Sequence, residues 1–255
     1  MTTRPVLLAL PPAGIGPAMF RPWQKAVRDF DVHAVSLPGR EARFSEPPAQ
    51  DIGELADRLS RELEGYAHSR YAVFGYSMGA LLGYEIALRW QSQGLRPPEH
   101  FFILGCNAPD RMVLDREPLH TMGYREFIRA LHELGGLHPE IVANEEAMAL
   151  FEPGLRNDFR LCETYRPDES RPRLACSVDA YVAMDDHFVN CDAASAWSLF
   201  VTGTVSTHSI EGRHILDEKA LSAIPDLIAK HWPGNRTGGH QKSPAPLLKS
   251  GAGFG

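Results

Sequence analysis

The sequence predicts an α/β protein whose mostly parallel sheet carries helices on both faces. Short runs of consecutive apolar residues at 6–10, 71–74 and 101–104 have the length and composition of strands that are buried on both faces. Between these runs lie segments with the apolar spacing of amphipathic helices, and turns rich in Gly and Pro separate the two kinds of segment. Because this alternation forms right-handed βαβ units, we expect a parallel sheet whose ligands bind at the carboxyl ends of the strands.

Composition and charge exclude several classes of protein. Of the 255 residues, 44% are hydrophobic and 23% are charged, as in a globular protein with a sizeable core, and the net charge of −6 argues against a nucleic-acid binder. The four cysteines form no C-x-x-C pair, and no metal-ligand spacing, phosphate loop or cofactor motif occurs. We therefore expect neither a metal nor a cofactor. With no signal sequence and no apolar stretch long enough to span a bilayer, a cytoplasmic protein is expected.

The stretch from residue 71 to residue 90 is the one around which the rest of the chain is organised. It begins with an apolar run, continues with the G-x-S-x-G sequence GYSMG at 75–79, and ends in a run of helix-forming residues. Strand, tight turn and helix are the context in which this pattern forms a nucleophile elbow, because the turn exposes the serine hydroxyl above the sheet. Ser77 is therefore predicted to be a nucleophile beside the positive end of the helix dipole. The alternative is a buried serine in a glycine-rich turn.

A loop of small residues, PPAGIG, follows the first apolar run at 11–16. It lacks the third glycine of the dinucleotide-binding pattern G-x-G-x-x-G, since Met19 stands there. In α/β-hydrolases an early loop donates one N–H to the oxyanion hole and the residue after the nucleophile donates the other. We therefore predict that the N–H groups of Ala13 and Met78 form an oxyanion hole, and the alternative is a Pro/Gly turn without a function.

Residues 32–37 are the second strand candidate. Arg40 and Arg43 follow it and could bind a phosphate or an acidic partner, although exposed arginines in loops are more often solvated. The sequence Asp-Ile-Gly-Glu then predicts a capping box with Asp51 as the cap, and the apolar residues up to Tyr66 lie on one face of a helix that packs on the sheet.

Residues 111–169 interrupt the alternation of strands and helices. Apolar residues between 127 and 134 predict a short amphipathic helix that breaks at the Gly-Gly pair at 135–136. Asn144 predicts the N-cap of a second helix, kinked or broken at the Pro-Gly pair at 153–154. We interpret the segment as a helical insertion that covers the site as a lid and whose apolar face can line an acyl channel.

The sheet resumes at 174–182, and the β-branched run at 200–207 is predicted to be its last strand. Asp185 and Asp186 follow the first of these strands, where an α/β-hydrolase has the third member of its triad. Asp192 is close to them in the chain, and the pattern alone does not choose among the three.

A histidine, His214, lies on a glycine-containing loop after the last predicted strand and can reach back over Ser77. The other candidates are His187 and His208. With Asp186 as the acid, the triad order is Ser, Asp, His, as in α/β-hydrolases and unlike the orders of the serine proteases. In such a triad the imidazole accepts the serine proton and later protonates the leaving group, while the carboxylate orients the imidazole. The sequence thus predicts an α/β-hydrolase fold with a Ser, Asp, His triad, and it leaves the choice among the three acids open.

Three structural units follow from these patterns. Residues 1–110 and 170–234 are predicted to form the α/β-hydrolase core, and residues 111–169 the helical lid insertion. Residues 235–255 are rich in Gly, Ser, Pro and Lys and are predicted to be a disordered tail. A terminal helix, interrupted or restarted by Pro225, is expected just before the tail.

Several longer motifs, taken together, are more specific than G-x-S-x-G alone. They are LPPAG at 10–14, FRPW at 20–23, LPGR at 37–40, GYSMGALLGYE at 75–85, LGG at 134–136, LRNDF at 155–159, ETY at 163–165 and GRH at 212–214. On these motifs the chain resembles, over residues 6–232, the stand-alone type II thioesterases of polyketide and nonribosomal peptide biosynthesis. The Asp-Pro-x-Val motif of that family aligns with DHFV at 186–189, so the resemblance implies that Asp186 is the acid.

The resemblance also implies a reaction and a partner. Members of this family hydrolyse acyl or aminoacyl thioesters on the phosphopantetheine arm of acyl or peptidyl carrier proteins, which clears stalled or mis-primed carriers. No nucleic acid or membrane is implied. The chain departs from the family at Tyr76, where a His is usual, and in its first loop at Pro12 and Ile15, where a His and a Gly are usual. None of these departures removes a member of the predicted triad.

Other functions are compatible with the same residues. A carboxylesterase of small-molecule esters has the same fold, and so does a product-releasing thioesterase or acyltransferase. A carrier-binding scaffold with a vestigial triad is a third alternative. The net charge of −6 gives no overall attraction to an acidic carrier, so docking would need a local basic patch.

Overall fold

The computed structural model describes residues 4–112, 117–135 and 144–234. The strands in these residues are β1 (Val6–Leu10), β2 (Asp31–Ala34), β3 (Tyr71–Tyr76), β4 (Phe101–Leu104), β5 (Val178–Ala183) and β6 (Val205–Ile210). They form a single sheet in the order β2-β1-β3-β4-β5-β6, and each pair of neighbours is parallel. The prediction of an α/β fold with a parallel sheet is confirmed.

Helices connect and cover these strands. The described residues contain α1 (Trp23–Ala26), α2 (Ile52–Glu62), α3 (Glu64–Ala67), α4 (Met78–Ser92), α5 (Tyr124–Glu133), α6 (Glu145–Thr164), α7 (Cys191–Ser195) and α8 (Glu218–His231). None of these described helices combines the length and the apolar character needed to cross a membrane.

Consecutive residues within a strand are apolar because both faces of the sheet are covered. In β1, Leu8 and Leu10 belong to a core that also contains residues of α2 and α4. Leu7 and Ala9 point to the other face and belong to a second core, with residues of α1 and α8. A strand between two such layers has no solvent-facing side, so its sequence shows no alternation of polar and apolar residues.

The cap of α2 forms as the sequence predicts. The Asp51 side chain accepts a hydrogen bond from the Glu54 N–H at 2.7 Å, and the Glu54 carboxylate in turn accepts one from the Gln50 N–H at 2.7 Å. The helix is shorter than predicted, because it ends at Glu62 and the turn at Leu63 separates it from α3.

The predicted break at 153–154 and the predicted interruption at Pro225 were wrong, whereas the alternative of a kink at 153–154 stays a prediction. Helix α6 continues through Pro153, and α8 continues through Pro225. A proline inside a helix removes one backbone hydrogen bond, but it does not end a helix whose other contacts hold it. Pro153 lies on the exposed surface, where solvent can reach the carbonyl that loses its donor, and Pro225 is buried in the core beside Ile224.

Strands β5 and β6 begin later than predicted. In the segments before them, Leu174 and Val201 form one isolated parallel bridge. The Gly203 N–H donates to the Cys176 carbonyl at 3.0 Å, so the chain turns there instead of extending the ladder. The β-branched residues of this region therefore belong partly to a turn, which propensity alone does not reveal.

The segment predicted to be a lid has a small core of its own. Leu119, Phe127, Leu131 and Leu134 pack together, with Phe159 of α6 against them. The carboxyl-terminal part of α6 belongs to the main core instead, where Leu161 is buried. Asn144 caps α6 by accepting from the Ala147 N–H at 3.0 Å, as predicted. Gly136 and the predicted tail at 235–255 lie outside the described residues.

Candidate active site

Ser77 lies in a strained turn between β3 and α4. Its φ of 49° and ψ of −116° place an L-residue in a region that such residues rarely adopt. The flanking glycines make the turn possible. A Cβ at Gly75 would lie 2.4 Å from the Ala80 Cα, and a Cβ at Gly79 would lie 2.2 Å from the Leu10 carbonyl oxygen. The strained turn and the two close approaches are those of the nucleophile elbow that the sequence predicts.

The structure brings Ser77, His214 and Asp186 into one hydrogen-bonded chain. The Ser77 Oγ lies 2.9 Å from the His214 Nε2, and the His214 Nδ1 lies 2.7 Å from the Asp186 Oδ2. Because a carboxylate only accepts, Nδ1 carries the proton and Nε2 is free to accept from the serine hydroxyl. The Asp186 side chain has no exposed surface, and its Oδ1 accepts from the N–H groups of Phe188 at 2.8 Å and Val189 at 3.1 Å.

The competing acids and histidines lie elsewhere. Asp185 and His187 are exposed beside Asp186, and Asp192 is exposed in the first turn of α7. His208 points away from Ser77 and is 2.5 Å from the Asp179 carboxylate. The turn that follows β5 thus buries one acid of the Asp-Asp pair and exposes the other.

The two predicted oxyanion-hole residues flank the serine. Ala13 borders the same cavities as Ser77 and His214, and Met78 is the first residue of α4. Within the described part of the chain neither N–H donates to an acceptor, as expected of groups that must bind a ligand oxygen. Their role as an oxyanion hole stays a prediction.

A buried carboxylate holds the loop that contains Ala13. Asp158 of α6 accepts from the Gly14 N–H at 2.7 Å through one oxygen and from the Arg40 guanidinium at 2.7 Å through the other. Arg40 also donates to the Ile15 carbonyl at 3.4 Å. The expectation that Arg40 and Arg43 are solvated was wrong, because Arg43 is likewise paired, with two glutamates. Sequence reasoning missed Asp158, which is 144 residues from Gly14.

Tyr76, the residue before the nucleophile, holds the histidine loop. Its hydroxyl donates to the His214 carbonyl at 2.7 Å and accepts from the Leu216 N–H at 2.8 Å. The side chain is 1% exposed, and burial raises the pKa of its hydroxyl. The Ile215 N–H between these two residues donates to the Leu134 carbonyl at 2.9 Å. The departure from the family's usual His at this position thus has a structural role that the sequence did not indicate.

Two cavities meet at Ser77. The first, of about 170 Å³, lies between the carboxyl ends of β4 and β5 and helix α6. The second, of about 390 Å³, extends past Arg40 and has the exposed side chains of Phe44 and Phe151 along it. Ser77 and His214 border both. A substrate that reacts at Ser77 can therefore extend in two directions, one into each cavity.

A second cluster of titratable groups lies away from Ser77, on β5, β6 and α8. Asp179 accepts from His100 at 2.7 Å and His208 at 2.5 Å, and the His208 ring stacks on the His231 ring at 4.1 Å between centroids. Burial raises the pKa of Asp179, but the hydrogen bonds from the two histidines outweigh it and the pKa lies below its ordinary value. Ligand atoms of Asp179, His208 and His231 come within 4.8 Å of one another, although no metal spacing is visible in the sequence. These contacts account for the cluster as a buried hydrogen-bond network.

Comparison with known proteins matches the chain to one family over almost its whole described length. A family model for the thioesterase domain matches residues 5–230. Among curated proteins, linear gramicidin dehydrogenase LgrE of Brevibacillus parabrevis is 31% identical over 232 residues, which cover 88% of each protein. Among solved structures, the type II thioesterase BorB from the borrelidin biosynthetic cluster has a TM-score of 0.80 and 34% identity, over 91% of this chain and 94% of BorB. RedJ, a thioesterase from the prodiginine biosynthetic pathway in Streptomyces coelicolor, has a TM-score of 0.82 and 31% identity, over 89% and 90% of the two chains.

Proposed function

The chain belongs to the thioesterase family, and from this premise we propose that it is a serine hydrolase that releases acyl or aminoacyl groups from the phosphopantetheine arm of carrier proteins. Its role would be that of a type II thioesterase, which edits stalled or mis-primed polyketide and nonribosomal peptide synthases. The single observation that carries the proposal is the chain of contacts from Ser77 through His214 to the buried Asp186, at 2.9 and 2.7 Å.

In the proposed reaction the acyl group passes through Ser77. The serine oxygen attacks the thioester carbonyl while His214 takes the hydroxyl proton, and Asp186 stabilises the resulting imidazolium. The N–H groups of Ala13 and Met78 bind the oxyanion, and one such donor is typically worth about 3 kcal/mol. The C–S bond then breaks and His214 protonates the departing thiolate. Water, deprotonated by His214, attacks the acyl-serine, the ester bond to the Ser77 oxygen breaks, and His214 returns the proton to that oxygen. The products are a carboxylic acid and the free carrier thiol.

In this proposal each of the two cavities binds a different part of the substrate. The larger one has exposed apolar side chains, Phe44 and Phe151, along it, so a phosphopantetheine arm can enter there from a carrier at the surface. The smaller one is bordered by the buried residues Cys106 and Val189, so it suits the acyl group. A thioester carbonyl at the junction would then lie beside Ser77.

We also propose that residues 111–169 act as a lid over this substrate path. Helix α6 of that segment borders both cavities, the smaller one through Glu163 and the larger one through Phe151. Phe159 borders both. A lid in this position would exclude water from the acyl-enzyme and define the length of acyl group that fits.

Two other reactions fit the residues of this site less well. A carboxylesterase would use the same triad and ignore the carrier. A dehydrogenase, as the name of LgrE describes, would need a dinucleotide site, and the loop after β1 has Met19 where the binding fingerprint has its third glycine. Hydrolysis therefore fits the residues of this site better.

A comparison of three acetyl donors tests the proposal. They are acetyl-phosphopantetheinyl carrier protein, free acetyl-pantetheine, and the oxygen ester with the same acyl group and arm. We expect kcat/KM to fall about tenfold or more from the carrier to the free thioester, because binding energy from the carrier is lost, and to fall again for the oxygen ester. Equal kcat/KM for all three donors would identify a small-molecule esterase and contradict the proposal.

A further inference from the structure

The loop after β1 makes a tight turn around Ala13. The Ile15 N–H donates to the Pro12 carbonyl at 3.3 Å, and Gly14, the third residue of the turn, has a φ of 71°. Ala13, the second residue, does not have a positive φ. A closed four-residue turn with a positive φ at its third position is of type II, which favours glycine there. The N–H group predicted to bind the oxyanion, that of Ala13, thus belongs to a turn whose shape depends on Gly14.

Helix α6 holds this turn with two side chains. The Asp158 carboxylate accepts from the Gly14 N–H at 2.7 Å. A Cβ on Gly14 would lie 2.4 Å from the Leu155 Cδ1, so Leu155 packs directly against the glycine. Leu155 and Asp158 are three residues apart and therefore project from one face of the helix. The segment predicted to be a lid thus fixes the main chain of the loop at the residue after Ala13.

The contact through Asp158 resists displacement. Its second oxygen accepts from the Arg40 guanidinium at 2.7 Å, and its side chain is 4% exposed. Gly14, Arg40 and Asp158 belong to three of the longer motifs in the sequence, LPPAG, LPGR and LRNDF. Separation of the loop from α6 would leave a buried charge without a partner, which is costly away from water. The loop and the helix are therefore held in one relative position.

We propose that Asp158 is a positioning residue of the oxyanion hole, and that the site stabilises an oxyanion only while α6 lies on the first loop. The inference rests on the proposed function, in which the Ala13 N–H is one of the two oxyanion donors. Asp158 acts through Gly14 and not on the reacting atoms. A displacement of the Ala13 donor by about 1 Å costs up to about 100-fold in rate. Attachment of the lid and assembly of the oxyanion hole are then the same event.

The test compares two inhibitors that carry the pantetheine arm, a methyl ketone and a trifluoromethyl ketone. The methyl ketone reports binding of the arm. The carbonyl carbon of the trifluoromethyl ketone also bonds to the Ser77 oxygen, while His214 takes the hydroxyl proton, and the oxyanion of this adduct occupies the hole. The inhibition constant of the methyl ketone divided by that of the trifluoromethyl ketone therefore measures stabilisation of the oxyanion. For Asp158→Ala we expect this ratio to fall about 10- to 100-fold below the wild-type value.

A second variant and a control separate positioning from stability. Leu155→Ala weakens the contact of α6 with the loop without leaving a buried charge unpaired, and it should lower the ratio about three- to tenfold. This variant decides the question if Asp158→Ala does not fold. Arg43→Ala is the control, because Arg43 loses ion pairs with two glutamates and contacts neither α6 nor the first loop in the part of the chain that the structure describes. It should lower the urea concentration at the midpoint of unfolding and keep the wild-type ratio.

Two results overturn the inference. The first is a wild-type ratio in folded Asp158→Ala, or in Leu155→Ala where only that variant folds, because α6 then only stabilises the fold. The second is an equal fall of the ratio in Arg43→Ala, because the ratio would then follow stability in general.

Hydrolysis of acetyl-pantetheine separates this inference from the proposed function. If hydrolysis requires Ser77 while Asp158→Ala and Leu155→Ala keep the wild-type ratio, only the positioning role of Asp158 is refuted. If Ser77→Ala hydrolyses acetyl-pantetheine as fast as the wild type does and binds the two ketones in the wild-type ratio, the proposed function is refuted and this inference is refuted with it.

Discussion

Tyr76 offers the sharpest test of how the site is held together. Tyr76→Phe removes one hydroxyl and leaves two main-chain groups, the His214 carbonyl and the Leu216 N–H, without their partner. An orphaned buried polar group costs about 1–3 kcal/mol, so we expect the free energy of unfolding to fall by about 2 kcal/mol or more. The loop that carries the imidazole loses the two hydrogen bonds that connect it to the Tyr76 side chain of β3. Because a misplacement of about 1 Å can cost up to about 100-fold in rate, we expect kcat to fall about 10- to 100-fold.

The assay separates a positioning role from a purely structural one. Tyr76 borders neither cavity, so KM for an acyl-pantetheine should change much less than kcat. Tyr71→Phe is the matched control, because Tyr71 is the first residue of the same strand and its buried hydroxyl also donates to a main-chain carbonyl. That carbonyl belongs to Arg96, at 2.9 Å, and not to the loop that carries His214. It should lower the free energy of unfolding by about 1 kcal/mol and leave kcat unchanged.

Urea unfolding and steady-state kinetics on the three proteins decide the question. If Tyr76→Phe loses stability but keeps kcat within about twofold of the wild type, as Tyr71→Phe should, then the hydroxyl only stabilises the fold and the reasoning is wrong. A fall in kcat confined to Tyr76→Phe supports the positioning of His214.

Three further predictions concern carboxylates. Asp158→Ala leaves the partly buried Arg40 without its ion-pair partner, so the free energy of unfolding should fall by about 3 kcal/mol and kcat should fall with it. An unchanged kcat would show that this ion pair does not contribute to catalysis. Asp186→Asn should lower kcat about 10³- to 10⁴-fold, whereas the exposed Asp185→Asn should not, and equal losses would refute the choice of acid. The pKa of Asp179 is depressed in the folded state, so its stabilisation is present above the unfolded value of about 3.9 and is lost as the pH falls through the folded pKa. The stability difference between wild type and Asp179→Asn, measured by urea unfolding from pH 7 to pH 3, should therefore shrink below about pH 4, and a difference that grows there would contradict the assignment.

Much of the fold is readable from the sequence because its signals are local. A strand that is buried on both faces has consecutive apolar residues, which a sequence shows directly. For β1 and β4 the predicted and observed bounds agree. Asp51 and Asn144 cap their helices through contacts three residues away. Ser77 is found for the same reason, since its turn is encoded by two neighbouring glycines.

The parts that sequence reasoning missed depend on contacts between distant residues. Asp158 meets the first loop, Tyr76 meets the loop after β6, and Asn107 meets the loop after β5. No local pattern reports such pairs, because each residue type is unremarkable within its own helix or strand. The choice of Asp186 over Asp185 needed the resemblance to a family, since only the turn after β5 decides which acid is buried.

Release of an acyl group from a loaded carrier protein tests the central claim most directly. Acetyl carrier is incubated with wild type or with Ser77→Ala, and intact-mass measurement follows the appearance of the free phosphopantetheine thiol. We expect rapid release by the wild type and a rate about 10³-fold or more lower for the variant, since the nucleophile is gone. Release by Ser77→Ala at the wild-type rate would contradict it, because the reaction would then not pass through Ser77.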